Sequence, residues 1–307
     1  MPDGEGLARL VDASAILATE QQAHIAALHG DDSWSVDTAA ATVTLTAPDG
    51  ATLVCRAHFL GTSAPGPKTW LWGWRNINEF PPDFVALAER VRVAGEEQGV
   101  AELTTAEIPL TDDLPRRLTI AAKTVTGLSA HYSGPIGGGS RAWLLIEHPD
   151  LELPPPTAQR TVDAILAAVE LIAIGDHAEA LASWARRRGV SMTAGRSSGD
   201  EDDQPLEADV VQLEVTDGDV IVTFDEPHRI TGVEARSMLG LDASAPPQPA
   251  TPPTPAAAEP VRPHPTPAPQ APPHAPPRPE GDAAPPPTPQ PESAMRRLLD
   301  FLRGPKP

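Results

Sequence analysis

Cysteine is almost missing from this chain: Cys55 is the only one among 307 residues. That scarcity excludes a disulfide framework as the source of stability and fits a reducing compartment. Basic side chains are also few, 23 Lys and Arg against 42 Asp and Glu, for a net charge of −19. A body so acidic offers phosphate nothing to neutralise it, so nucleic acid is not expected as a partner. Long apolar runs are lacking too. The most apolar stretch, "AILAAVELIAIG", is too short to span a bilayer and contains Glu170. The opening "MPDGEGLARL" has no basic stretch leading into an apolar one, and a cytoplasmic protein is expected. The nine histidines are scattered, with no H-x-x-x-H pair, and "GDEDD" lacks the spaced ligands of a calcium loop. Neither a metal nor a cofactor is expected.

Proline, by contrast, is abundant, and it is concentrated. Of 38 prolines, 21 lie between Pro246 and Pro291, in a tract with almost no large apolar side chains. Such a composition cannot offset the entropy of ordering, so residues 241–291 are expected to be a disordered linker. The organisation that follows is an α+β domain over 1–190, an acidic linker over 191–204, a β-hairpin appendage over 205–240, the linker, and an amphipathic peptide at 292–307. Charge follows these divisions: −10 over residues 1–190, −10 over 191–244 and +2 over 292–307.

Periodicity supplies the elements. Leu7, Leu10, Val11, Leu17 and Leu28 keep helical spacing and predict one helix over about 4–29, stopped by Gly30. "VTLT" and "TLVCRAHF" flank a Pro-Asp-Gly turn and, with the strand of "TWLWGWRN", predict a three-stranded antiparallel meander. Helices are expected from Phe84 to Gly99 and after Asp113, which is placed to cap, and a hairpin around "IGGG". A further helix breaks at Gly175. The D-x-x-E spacing of Asp176 and Glu179 then opens the next, which ends at "RRRG". Alternating apolar residues on both sides of Asp217-Gly218 give the clearest hairpin, and a hairpin alone is marginal and has to dock.

Half of the six tryptophans fall within five positions. In an extended strand Trp70, Trp72 and Trp74 share one face. They are then either core beneath a helix, with Gly73 admitting a close neighbour, or an aromatic shelf that binds a sugar, a peptide or a polyproline segment. Chemistry is harder to find. "GLSAH" lacks the second glycine of a nucleophile elbow, and "GPIGGGS" lacks the lysine of a phosphate loop. Glu96, Glu102 and His131 are the candidate acid–base groups for an enzyme, a hydrolase acting on a polar substrate.

At 292–307, Ser293 is placed to cap a helix whose Met295, Leu298, Leu299 and Leu302 recur at i, i+3, i+4, i+7. Phe301 widens the stripe, and Arg296, Arg297 and Arg303 charge the remainder. So short a helix needs a partner to hold its shape. The favoured partner is another protein, then the chain's own domain in cis, then an anionic membrane surface.

"TWLWGWRN" followed by "ERVRVAGEEQGVAELTT" resembles an uncharacterised bacterial domain family marked by W-x-W-G-W-x-N and then G-E-x-x-G-x-x-E-L-T. The matching residues are Trp70, Trp72, Gly73, Trp74, Asn76, Gly95, Glu96, Gly99, Glu102, Leu103 and Thr104. The resemblance covers about residues 5–150 and implies no activity. The reading is a binding or adaptor protein presenting a tethered recognition helix, with the small hydrolase as the alternative.

Overall fold

The computed structural model describes residues 4–196, 209–225 and 228–237. The expectations for the proline-rich tract and for 292–307 lie outside the described residues. What is described is α+β: a seven-stranded antiparallel sheet packed with helices, followed by a second, four-stranded sheet.

The N-terminal helix is broken into α1 (Glu5–Asp12) and α2 (Ala15–His29). Apolar spacing does not report the break, because tertiary hydrogen bonds cause it. The Asp12 carboxylate accepts from the backbone N–H groups of Gly175 and Asp176 at 2.9 and 3.0 Å. The Ala13 carbonyl accepts from Ser183 Oγ, and Ser14 Oγ accepts from Arg187 and Thr124. Groups that would continue the helix are thus engaged by α5 (Leu114–Thr126) and α7 (His177–Arg188).

The large sheet runs β1 (Ser33–Asp37), β2 (Thr42–Thr46), β3 (Thr52–Ala64), β4 (Thr69–Trp72) and β5 (Glu107–Pro109), with β6 (His131–Gly137) beside β7 (Ser140–Glu147) and β7 also on β3. The expected meander is β2–β3–β4. Strand β1, SWSVD, alternates polar and apolar residues but over only five positions, and three-residue β5 is too short to show a period. Strand β3 pairs with β2, β4 and β7, so it is the seam of the sheet. On one face Trp70, Trp72, Leu60 and Leu145 pack beneath α1, α5 and α3 (Pro82–Gln98). On the other, Val43, Leu45, Cys55 and Leu144 meet Ile25 of α2 and Phe84 of α3. Gly99 stops α3 in the left-handed conformation, and the single turn α4 (Ala101–Thr104) follows. Asp113 precedes α5 without capping it: its carboxylate accepts from Thr111 Oγ instead.

Beyond β7 come α6 (Ala158–Leu171) and α7, whose N-terminus is capped by Asp176 through the N–H of Glu179 at 2.9 Å, as the D-x-x-E spacing implied. The expected hairpin is the centre of a larger sheet, ordered β11–β10–β9–β8. Its strands are β8 (Ser191–Arg196), β9 (Asp209–Val215), β10 (Gly218–Phe224) and β11 (Ile230–Ser237). Strand β8 occupies the first six residues of the stretch read as an acidic linker. The inward face (Leu213, Val215, Val220, Val222, Phe224) packs with Ile165, Ala168 and Trp184, and with Ile16 and Leu17 of α2. Asp217, in the hairpin turn, also accepts from the N–H of Ala158 at 2.7 Å and so satisfies the first turn of α6.

Candidate functional site

The tryptophan segment comes together with the G-E-x-x-G segment, and what they build is packing. Trp70 and Trp72 are 0% and 1% exposed, with rings edge to face at 5.3 Å. Their strand ends at Trp72. Gly73–Arg75 is a 3-10 turn, so Trp74 leaves the shared face and lies half-buried with the Arg92 guanidinium 5.8 Å above its ring. Of the two readings of the segment, core fits Trp70 and Trp72, while Trp74 lies at the margin and not on their shared face. A Cβ on Gly73 would sit 2.8 Å from the Phe59 carbonyl oxygen, which is the close approach a glycine admits. Asn76, at φ 43°, closes the turn with two hydrogen bonds to Phe80. The Trp72 indole N–H donates to the Glu102 carbonyl at 2.9 Å, and a Cβ on Gly95 would collide with Leu103 at 2.5 Å. Each matched glycine, asparagine and leucine thus has a stereochemical reason for its place.

Glu96, Glu102 and His131 are not brought together. Glu96 is on the exposed end of α3, paired with Arg92. Glu102 is half-buried on α4. His131 is buried on β6, its ring stacked on Trp143 with centroids 6.1 Å apart. Burial, together with the Lys123 and Arg116 cations, holds the His131 imidazole well below its usual pKa. Ser129, of the "GLSAH" segment, donates to Gln21 Oε1. Beside His131 the ammonium of Lys123, 1% exposed on α5, has no hydrogen-bond partner among the described residues, and burial draws its pKa down to about 7. No cluster of metal-ligating side chains occurs among the described residues.

Two cavities flank α2. The first is a groove of about 370 Å³ between α2 and α6, lined by Ala23, Ala26 and Ala27 of α2 and by Ala164 and Ala167 of α6. Its polar groups are Thr19, Glu20, His24, Arg160 and Asp163, and Leu153 closes one side. Alanine at i, i+3, i+4 on α2 and at i, i+3 on α6 keeps the facing surfaces shallow, which leaves room for an apolar side chain between them. Those alanines were in plain view in the sequence, but alanine spacing alone does not separate a helix contact from a groove. Glu20 forms the floor: its carboxylate accepts from Trp184 Nε1 at 2.8 Å and pairs with Arg188 at 3.2 Å. Burial raises its pKa, with Trp184 and Arg188 opposing the shift.

The second cavity, about 690 Å³ and wider open, lies on the other side of that ion pair. Gln21, Ser129, Glu147, His148, Glu152, Arg187 and Arg188 face it. Most of these already serve the fold: Gln21 donates to the Leu151 carbonyl, Arg187 to that of Gly127, and Arg188 to that of Pro154. His58 Nε2 and Glu147 Oε1 are 2.6 Å apart. The groove is the better candidate, because alanines on both helices leave open space between its walls.

No curated protein and no solved structure was found to match the chain. A family model matches and ends where the large sheet ends, so α2 lies inside the match while α6, the other wall of the groove, lies outside it. Residues 8–149 match the model of the family described as "Family of unknown function (DUF6882)".

Proposed function

We propose that the protein is a binding protein whose α2–α6 groove receives an amphipathic helix. The groove itself carries this reading. Its lining runs from Thr19 to Ala27 on one wall and from Arg160 to Ala167 on the other, about 10–12 Å along each helix axis, or two turns. A helix laid in such a groove is anchored by side chains at i, i+3, i+4 and i+7. The exposed Asp163 and Arg160 lie where the polar flank of the guest would run. An acyl-transfer or acid–base enzyme finds less support, since the candidate carboxylates and His131 sit on separate elements.

The test is a titration with a labelled synthetic peptide bearing leucines at i, i+3, i+4 and i+7. The protein used carries Leu298→Asp and Leu302→Asp, so that its own apolar stripe does not compete. Saturable binding that disappears on Ala27→Trp, an exposed position in the groove, is expected. Binding that ignores Ala27→Trp, or no binding at all, overturns the reading.

A further inference from the structure

We infer that the groove's resident occupant is the chain's own segment 292–307, so that the protein closes its site in cis. This rests on the groove being a helix receptor and names its guest. Three observations support it. Met295, Leu298, Leu299 and Leu302 form an apolar stripe of two turns, about 10 Å long as a helix. That matches the two-turn lining of α2 and α6. The charges are complementary overall: the segment is +2 and residues 1–190 are −10, and Asp163 is the exposed carboxylate of the lining, Glu20 being already paired with Arg188. The path is available as well. The last described strand, β11, packs along α6, the helix that forms one groove wall. A linker as long as 238–291 sets no limit on reach.

Tethering fixes the consequence. A short linker holds a guest at an effective concentration in the millimolar range, which falls roughly as the −3/2 power of linker length. A stripe of four or five apolar side chains that binds weakly as a free peptide would then occupy the groove most of the time. An external helix has to displace it, so the tail sets a threshold for partners instead of recruiting them.

The experiment uses the full chain throughout. A fluorescein-labelled 292–307 peptide is titrated by anisotropy against the parent protein, against Leu298→Asp/Leu302→Asp, and against the same double variant carrying Ala27→Trp. Docking in cis predicts that the peptide binds the double variant on the order of tenfold more tightly than the parent, and that Ala27→Trp removes this binding. Equal affinity for parent and double variant overturns the cis occupant while leaving the groove a receptor. Binding to none of the three overturns both. Asp163→Arg in the double variant is a second control on the charge argument: it weakens the peptide if Asp163 faces the arginines. Unchanged affinity places the peptide elsewhere and counts against the proposal.

Discussion

The two buried tryptophan sites of this protein have opposite relations to its surface. Trp72, under the large sheet, donates its indole N–H to a backbone carbonyl of α4 and is enclosed by aliphatic side chains and another indole. Trp184, under the small sheet, donates to the carboxylate of Glu20, which is the floor of the groove. The first site only holds elements together. The second holds a charged group in place where a guest would meet it. The matched family segment contains Trp72 and its partner but not Trp184. The difference teaches that sequence prominence and functional exposure need not coincide: the crowded tryptophans are the quieter ones.

The largest effect should come from Trp72→Ala, which empties a fully buried volume and orphans the Glu102 carbonyl. A loss of about 3–5 kcal/mol is expected, read as a shifted denaturant midpoint with groove binding retained in the fraction that folds. If the variant instead folds normally but loses groove binding, the contrast between the two sites collapses.

Lys123→Met should act in the other direction, stabilising the protein by about 1–3 kcal/mol at pH 7 because a buried amine with no hydrogen-bond partner among the described residues is removed. The pH dependence sharpens this. The unfolded chain keeps the Lys123 proton up to its ordinary pKa of 10.5, while the native protein releases it above about 7. Between these values the unfolded state binds more protons, so this residue makes stability rise with pH. Between pH 7 and 8, below the ordinary thiol value of 9.0 near which unfolded Cys55 begins to lose its proton while the buried native thiol keeps it, that rise should be present in the parent and absent from the variant. Equal slopes would mean that the ammonium has found a partner.

Gly73→Ala should cost about 1–3 kcal/mol, because the new methyl meets the Phe59 and Leu60 carbonyl oxygens at 2.8–3.0 Å. Thermal unfolding measures it, and an unchanged midpoint would mean that the turn after Trp72 yields easily. Smallest is Asp176→Ala at about 1 kcal/mol, the usual worth of an N-cap. Since α7 carries Trp184, this loss should also loosen the groove floor, whereas Gly73→Ala should leave it alone. Peptide titration of both variants compares the two regions directly.

What could be read in advance follows from how local each signal is. Helix α3, the β2–β3 turn, the β6–β7 hairpin and the Asp176 cap depend on residues within a few positions of one another, and their patterns are explicit. The break between α1 and α2 depends on Asp12 meeting Gly175 and Asp176, more than 160 positions away, and no helical periodicity records that. Strand β8 was hidden because "SMTAGR" earns its strand only by pairing with β9. The motif residues Trp72, Gly73, Asn76, Gly95 and Leu103 were legible as a set, but their purpose emerged only once Trp72 was seen to meet Glu102. The groove was illegible because alanine, the strongest helix former, suits any helix whether or not it borders a groove.

Strand β3 also dictates an order of events during synthesis. Its pairing with β2 across a short turn is a microsecond matter, and β4 follows close behind in the chain. Both Trp72 and Trp143 register with Gly61, from opposite edges of the strand. The edge meant for β7 therefore stays bare until residues 140–147 exist; His58 and Glu147, which close it, are 89 positions apart. At ribosomal rates of about 5–20 residues per second, a β-rich stretch, "TLVCRAHFLG", waits several seconds with one rail of amides unpaired. An open edge of that kind is a template for other chains, so the nascent protein is most exposed to aggregation in that interval and becomes safe when β7 arrives.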